Sequence, residues 1–320
     1  MNAGDEERDG VSFTHLDQEL FDGAGATKRD LIDYFGAVDA CILPCLRDRP
    51  LSVIRIRPGQ PPFMQKNLPK YTPEWVARTQ IWADASRREV SYALCNDRRT
   101  LLWFANQRAV EYHVTLFGVS HPMYPDYLIL DLDPPEGATF DVVVQTAQLV
   151  RQALDEAGMA GAVKTSGAKG VHIFVPLAPE TSPEDAAAAT RAVAVRAERI
   201  DPDLATTAFV KEEREGKVFL DSTRAGGATV VAAYSPRIRP GVSVSFPVSW
   251  DDLDRVVPAD FTIHNAAGLL DGTDPWADHM PKPQQLTADL LAEGHTIPVA
   301  RVQAMHEGKR RARMRRDSAP

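Results

Sequence analysis

An α+β architecture is what this sequence predicts, because strand-length apolar runs interleave with capped helices but not in the strict alternation that builds a parallel sheet. Two observations carry that reading. Segments such as YLILDL at 127–132 and VHIFVPL at 171–177 are short, apolar and bounded by turn residues. Segments such as SPEDAAAATRAVAVRAERI, from Ser182, have helical periodicity behind a capping residue. No internal repeat is present.

Taken in order, residues 1–12 are polar and acidic and are expected to form a disordered leader. TKRDLIDYFGAV predicts a helix with Thr27 as N-cap and Asp30 at the third helical position. LSVIRIR at 51–57 reads as a half-solvated strand, and PGQPP turns the chain. In TPEWV, Thr72 is placed to cap and Pro73 to occupy the first position of another helix. Residues 90–94 and 100–104 read as paired strands across DRRT. A buried strand at 127–132 precedes a helix over FDVVVQTAQLVRQALDEAG that stops at Gly158. After the 171–177 strand and the Ser182-capped helix, KVFLD (217–221) and ATVVAAYS (228–235) suggest a hairpin. Beyond Pro240 the chain is proline-rich. These elements give a leader (1–12), one unit of two intimately packed lobes (13–295) and a basic tail (296–320).

Composition narrows the classes. No apolar run spans a bilayer, and MNAGDEERDG lacks the basic and apolar regions of a signal peptide, so a cytoplasmic protein without membrane contact is expected. Cys41, Cys45 and Cys95 are too few and too scattered for a disulfide framework or zinc ribbon. The net charge of −8 counts mildly against nucleic acid. The charge is uneven, though: residues 308–320 hold six Lys or Arg, and one basic groove can coexist with an acidic mean surface.

The chemistry concentrates in three places. DYLILDLDPP puts Asp131 and Asp133 on one face of a strand end. Two such carboxylates repel unless a cation sits between them, and a hard divalent ion removes the conflict; a structural turn before Pro134 explains the pattern about as well. KTSGAKGVH carries a glycine loop in which Ser166, Lys169 and His172 could meet a phosphate. Asp221 ends a third apolar strand, and Arg237 follows in AYSPR. Three strand-end carboxylates, a phosphate-friendly loop and a downstream Arg form the inventory of two-metal nucleotidyl transfer.

These motifs, with LPCLRDRPLSVIR, FMQKNLPKYTPEW and LLWFANQRAVEYH, resemble the polymerase domain of bacterial DNA ligase D, a branch of the archaeo-eukaryotic primase superfamily. The resemblance spans about residues 13–290. It implies an archaeo-eukaryotic primase fold, an RRM-like mixed sheet packed with a second α/β unit. It implies addition of nucleotides, ribonucleotides preferred, to a primer 3′-OH at gapped or broken DNA carrying a 5′-phosphate. Asp131, Asp133 and Asp221 would hold Mn²⁺ or Mg²⁺. Ser166, Lys169, His172, Arg214 and Arg237 would hold the NTP or dNTP, with His113 as reader of the 2′-OH. Lys28, Lys66 and Asn67 would contact the 5′-phosphate, and Phe63 would stack on the template. A separate DNA ligase and a Ku-type protein are implied partners, in end joining or in gap filling during excision repair, with primer synthesis as a third route. The chain departs from the pattern at Gln18, where a second phosphate-binding lysine is usual, at Met64, which leaves Phe63 without an aromatic neighbour, and at Arg224, where an amide is expected. A metal-dependent phosphatase and a non-catalytic DNA end-binding module are the alternatives.

Overall fold

The computed structural model describes residues 6–83, 87–122, 124–224 and 229–299. Fourteen strands and seven α-helices follow one another through these segments. The first are β1 (Glu6–Arg8) and β2 (Val11–Phe13), α1 (Lys28–Leu46), β3 (Pro50–Arg57), β4 (Gln60–Gln65), β5 (Arg78–Ala83), β6 (Arg88–Leu94), α2 (Arg98–Asn106) and β7 (Ala109–Val114). Next come β8 (Tyr127–Asp133), α3 (Phe140–Glu156), β9 (Ala162–Thr165), β10 (Val171–Pro176), α4 (Pro183–Ile200), β11 (Ala205–Thr206) and β12 (Val218–Asp221). The chain continues through β13 (Val230–Val231), β14 (Pro247–Val248), α5 (Ala266–Leu270), α6 (Pro275–His279) and α7 (Ala288–Thr296).

Two six-stranded sheets, one mixed and one wholly antiparallel, share one continuous apolar core. One has the order β11-β12-β8-β10-β9-β14, antiparallel except for β11 with β12, and α3 and α4 pack against it. The other has the order β13-β7-β3-β6-β5, with β4 added to β3, and α1 and α2 lie beside it. The segment between β13 and β14 starts in one sheet and ends in the other. Along it, Tyr234 N–H bonds Ser245 O, Thr165 N–H bonds Phe246 O, and the Tyr34 hydroxyl reaches Tyr234 O at 2.7 Å. The two sheets are thereby stitched into one body.

Local chemistry explains the helices that sequence reading placed. Thr27 and Asp30 form a reciprocal capping box on α1. Ser182 Oγ accepts from Asp185 N–H with Pro183 in the first turn of α4, and Gly158, at φ +67°, closes the turn after α3.

Four expectations are corrected. Residues 6–13 are not part of a leader: β1 and β2 form a hairpin, pinned by Arg8 to Asp33 and Arg29 to Glu6. Thr72 caps no helix; its hydroxyl donates to Pro69 O in a single turn before β5, whose residues are alternately exposed and half-buried. Residues 100–104 are helical because Asp97 caps α2 by accepting from Thr100 N–H, and this short helix is buried on nearly every side, which erases the periodicity. The hairpin expected of 217–221 and 228–235 does not form: β12 pairs β8 while β13 pairs β7. Residues 300–320 of the expected basic tail lie outside the described residues, and among those described no helix is long and apolar enough to cross a membrane.

Candidate active site

β8 is the mount. Its buried residues Leu128, Ile129, Leu130 and Leu132 fix the strand, and the period of two leaves Asp131 and Asp133 on one face. β12 runs antiparallel beside it, with Asp221 directly opposite Asp131 and Phe219 opposite Asp133. On the other flank β10 sets His172 opposite Asp131. The acids therefore come from two hydrogen-bonded strands and share one edge.

Each aspartate is engaged. Arg224 Nη2 bonds Asp131 Oδ2 at 2.7 Å, and its Nε lies 3.3 Å from Asp221 Oδ2. Arg214 reaches Asp133 Oδ2 at 3.3 Å while its guanidinium stacks 3.8 Å from the Phe219 ring centre. His172 Nε2 lies 3.2 Å from Asp131 Oδ1. Burial alone would raise the Asp131 carboxyl, yet His172 and Arg224 reverse this and hold it well below the usual carboxylate range. Among the described residues no three His, Cys, Asp or Glu side chains converge as a ready-made metal cage. The oxygen donors nevertheless suit a hard divalent cation, and Arg224 shows that one positive group can serve Asp131 and Asp221 together.

The glycine loop closes over this edge. Ser166 Oγ accepts from the N–H groups of Ala168 and Gly170, so the serine bends the loop itself. Gly167 has φ +66°, and a Cβ there would meet the Arg237 side chain and the backbone at Ser245 within 2.8 Å. Lys169 is exposed at the tip. It shares with Asp133, Lys211, Arg214, Lys217 and Arg239 a cavity of about 510 Å³ lined by five cationic side chains.

A second network holds Arg237. Its Nη1 donates to Ser166 O at 2.6 Å and its Nε lies 3.2 Å from Glu111 Oε2, while Glu111 also meets His113 Nε2 at 2.9 Å and accepts from Ile238 N–H. Burial pushes the Glu111 carboxyl up, but His113, Arg237 and the Ile238 N–H bring it down to about 2. Because the folded value lies below the ordinary 4.5, the stability Glu111 contributes is complete above pH 4.5 and is lost as pH falls toward 2. Glu111→Gln is expected to flatten the acid limb of the stability curve in that window, by about 1–3 kcal/mol, in pH-dependent denaturant unfolding.

The structure thus brings together Asp131, Asp133, Asp221, Ser166, Lys169, His172, Arg214 and Arg237, with His113 joined through Glu111. Lys28 lies elsewhere, buried in a cavity of about 260 Å³ lined also by His15, Gln18, Arg55, Arg57 and Arg108. Phe63 sits beneath the Arg55 and Arg57 guanidiniums, at 5.7 and 4.5 Å. Lys66 and Asn67 are exposed and line neither cavity; Asn67 Oδ1 accepts from Ser91 N–H. Nothing in the sequence alone singles out Glu111, Lys164, Lys211 or Arg108. Glu111 stands in the quoted EYH block and Lys164 opens KTSG, but a single charged residue on a strand carries no signal of its partners.

Comparison with known proteins shows the family of the chain. The family model described as "LigD, primase-polymerase domain" matches residues 27–276. The bifunctional non-homologous end joining protein LigD of Bacillus subtilis is 35% identical over 79% of this chain and 41% of its own length. The multifunctional LigD of Mycobacterium bovis is 33% identical over 79% of this chain and 34% of its own length. The chain therefore spans well under half of these curated relatives. A solved structure, the polymerase domain of Mycobacterium tuberculosis ligase D in complex with DNA, superposes with a TM-score of 0.75 at 31% identity, covering 83% of this chain and 96% of that one. The fold is of the archaeo-eukaryotic primase class, and its members of this kind are nucleotidyltransferases. The chain belongs to the LigD primase-polymerase domain family.

Proposed function

We propose that this chain adds nucleotides, ribonucleotides preferentially, to a primer 3′-OH at gapped or broken DNA by two-metal nucleotidyl transfer. The observation that supports this most is the placing of Asp131, Asp133 and Asp221 on one edge of paired strands beside the cationic cavity. Mn²⁺ or Mg²⁺ held by these carboxylates would supply the Lewis acidity that activates the 3′-hydroxyl and stabilises the α-phosphate. The chain's own groups do the rest. Lys169 and Arg214 offset triphosphate charge, and Arg237, aimed by Glu111 and Ser166 O, adds a fixed donor. His172 presents Nε2 toward the same edge. His113 lies at the end of the Arg237 network, where it is the candidate reader of the ribose 2′-OH. Extension across a gapped duplex, comparing NTPs with dNTPs and Mn²⁺ with Mg²⁺, tests the reading; no extension with any pair would refute it.

The Lys28 cavity supports recognition of the downstream 5′-phosphate. Lys28 Nζ donates to Thr14 O, and burial, with Arg108 nearby, pushes its pKa down to about 8. Arg108 is aimed by Gln18 Oε1 and by the carbonyls of Glu19 and Leu20, and its buried Nε has no partner among the described residues. Two cations facing one concavity favour an anion. Gln18, which replaces the usual lysine, thus orients an arginine that supplies charge. Arg108→Met is expected to reduce the affinity preference for a 5′-phosphorylated over an unphosphorylated gap by about tenfold in titrations of both duplexes. Lys66, Asn67 and Phe63 would then follow the DNA outside that cavity, with Phe63 stacking on the template.

End joining with a Ku-type protein, or short-gap filling in excision repair, is the setting that suits such a substrate, with a separate ligase sealing the product. The LigD relatives carry end joining in their names.

A further inference from the structure

Lys164 is the most deeply buried charged side chain of the described residues, and nothing in the nucleotidyl-transfer chemistry above uses it. It lies on β9 opposite His172 of β10, behind the catalytic edge, with its Nζ 2.9 Å from His172 Nδ1. Its Nζ also meets Ser245 Oγ, and that hydroxyl spends its own hydrogen on Thr165 O at 2.8 Å. Ser245 can therefore only accept from Lys164. The far side of the same imidazole, Nε2, faces Asp131 Oδ1 at 3.2 Å.

From this row of contacts we infer that Lys164 is a positioning residue that fixes His172 in the tautomer carrying its hydrogen on Nε2. A lysine donates and a charged one cannot accept. Charged, Lys164 leaves Nδ1 no role but acceptor. Neutral, it still has a second hydrogen for Nδ1 once Ser245 has taken the first, and the Asp131 carboxylate at the opposite side requires a hydrogen on Nε2. Charged, the lysine imposes this tautomer; neutral, it accommodates it, and in either charge state the Asp131 carboxylate requires it from the other side. Burial, reinforced by Arg237, lowers the Lys164 pKa well below its usual value, which agrees with a group shielded from solvent. The functional consequence follows from sign. An Nε2–H presented to the acidic edge can donate to a phosphate oxygen, whereas the other tautomer would aim a lone pair at anionic oxygens and repel the nucleotide. The buried serine, lysine and histidine thus carry directionality from the segment before β14 to the nucleotide side of the sheet.

The inference rests on the assignment of His172 to the nucleotide, and the test separates the two. Long-range ¹H–¹⁵N spectra of the full chain, with the His172 ring assigned by its loss in His172→Gln, should show hydrogen on Nε2. In Lys164→Met the ring should become a mixture of tautomers, and the nucleotide KM should rise about tenfold with kcat changed by less than about threefold. Hydrogen on Nδ1 in the unaltered protein overturns the inference whether or not the variant folds. An unchanged ring in a folded Lys164→Met overturns it too. If His172→Gln binds nucleotide as well as the unaltered protein, the nucleotide assignment itself falls, and the functional part of this inference falls with it even where the tautomer is as stated.

Discussion

Replacing Asp131 and Asp133 together by Ala should lower primer extension at least about 10³-fold, equivalent to roughly 4 kcal/mol of lost transition-state stabilisation, while gapped-duplex affinity changes little. The two carboxylates share one face of β8, and neither lies in the cavity that contains Lys28 and Arg108. Loss of both therefore removes the oxygen donors proposed to hold the metals but leaves the cations proposed to meet a 5′-phosphate. Arg224 and Arg214 would lose their acidic partners, which adds a positive bias to the edge, so the substitutions do not weaken the binding of an anionic duplex. Single-turnover extension beside a fluorescence-anisotropy titration separates the two effects. Extension within tenfold of the unaltered protein would mean the metal assignment is wrong.

Gly170→Ala is expected to destabilise the fold by about 3 kcal/mol or more and to abolish nucleotide binding in whatever fraction stays folded. A Cβ at Gly170 would lie 2.0 Å from the carbonyl oxygen of Leu132, the residue between Asp131 and Asp133 of β8. Neither neighbour can step aside. Leu132 is held in the β8–β10 and β8–β12 ladders, and Gly170 closes the loop through its N–H to Ser166 Oγ and its carbonyl to Ser166 N–H. Relief of the clash moves the loop away from Asp131 and Asp133, so stability and site geometry fail together. Gly268→Ala, in α5 with open space around it, is the matched control and should be neutral or slightly stabilising. Thermal melts of both variants check the contrast; equal melting temperatures would refute the packing argument.

How far this was legible from residues alone depended on how local the cause was. The capping box of Thr27 and Asp30, the Ser182-Pro183 start and the Gly158 stop are set within a few neighbours, and each helix lies where its caps place it. Asp131, Asp133, Asp221 and the SGAKGVH loop were legible because strand alternation and chain order preserve them. What failed was non-local. LLWFA is apolar on all sides, so helix and strand share one pattern until Asp97 is seen capping it. KVFLD and ATVVAAYS look like a hairpin, yet their partners, β8 and β7, are far away in sequence. Arg108, Glu111 and Lys164 acquire their roles from groups on other elements, across distances no motif encodes. Arg224 was noticed only as a departure, and its two acidic partners came from the fold.

The central claim is that the three strand-end aspartates carry out nucleotidyl transfer. Product analysis on a primed gapped duplex with nucleotide and Mn²⁺ tests it most directly. One pyrophosphate released for each nucleotide added to the primer is the predicted result. Inorganic phosphate released without primer extension would contradict the claim and assign Asp131 to phosphatase chemistry instead.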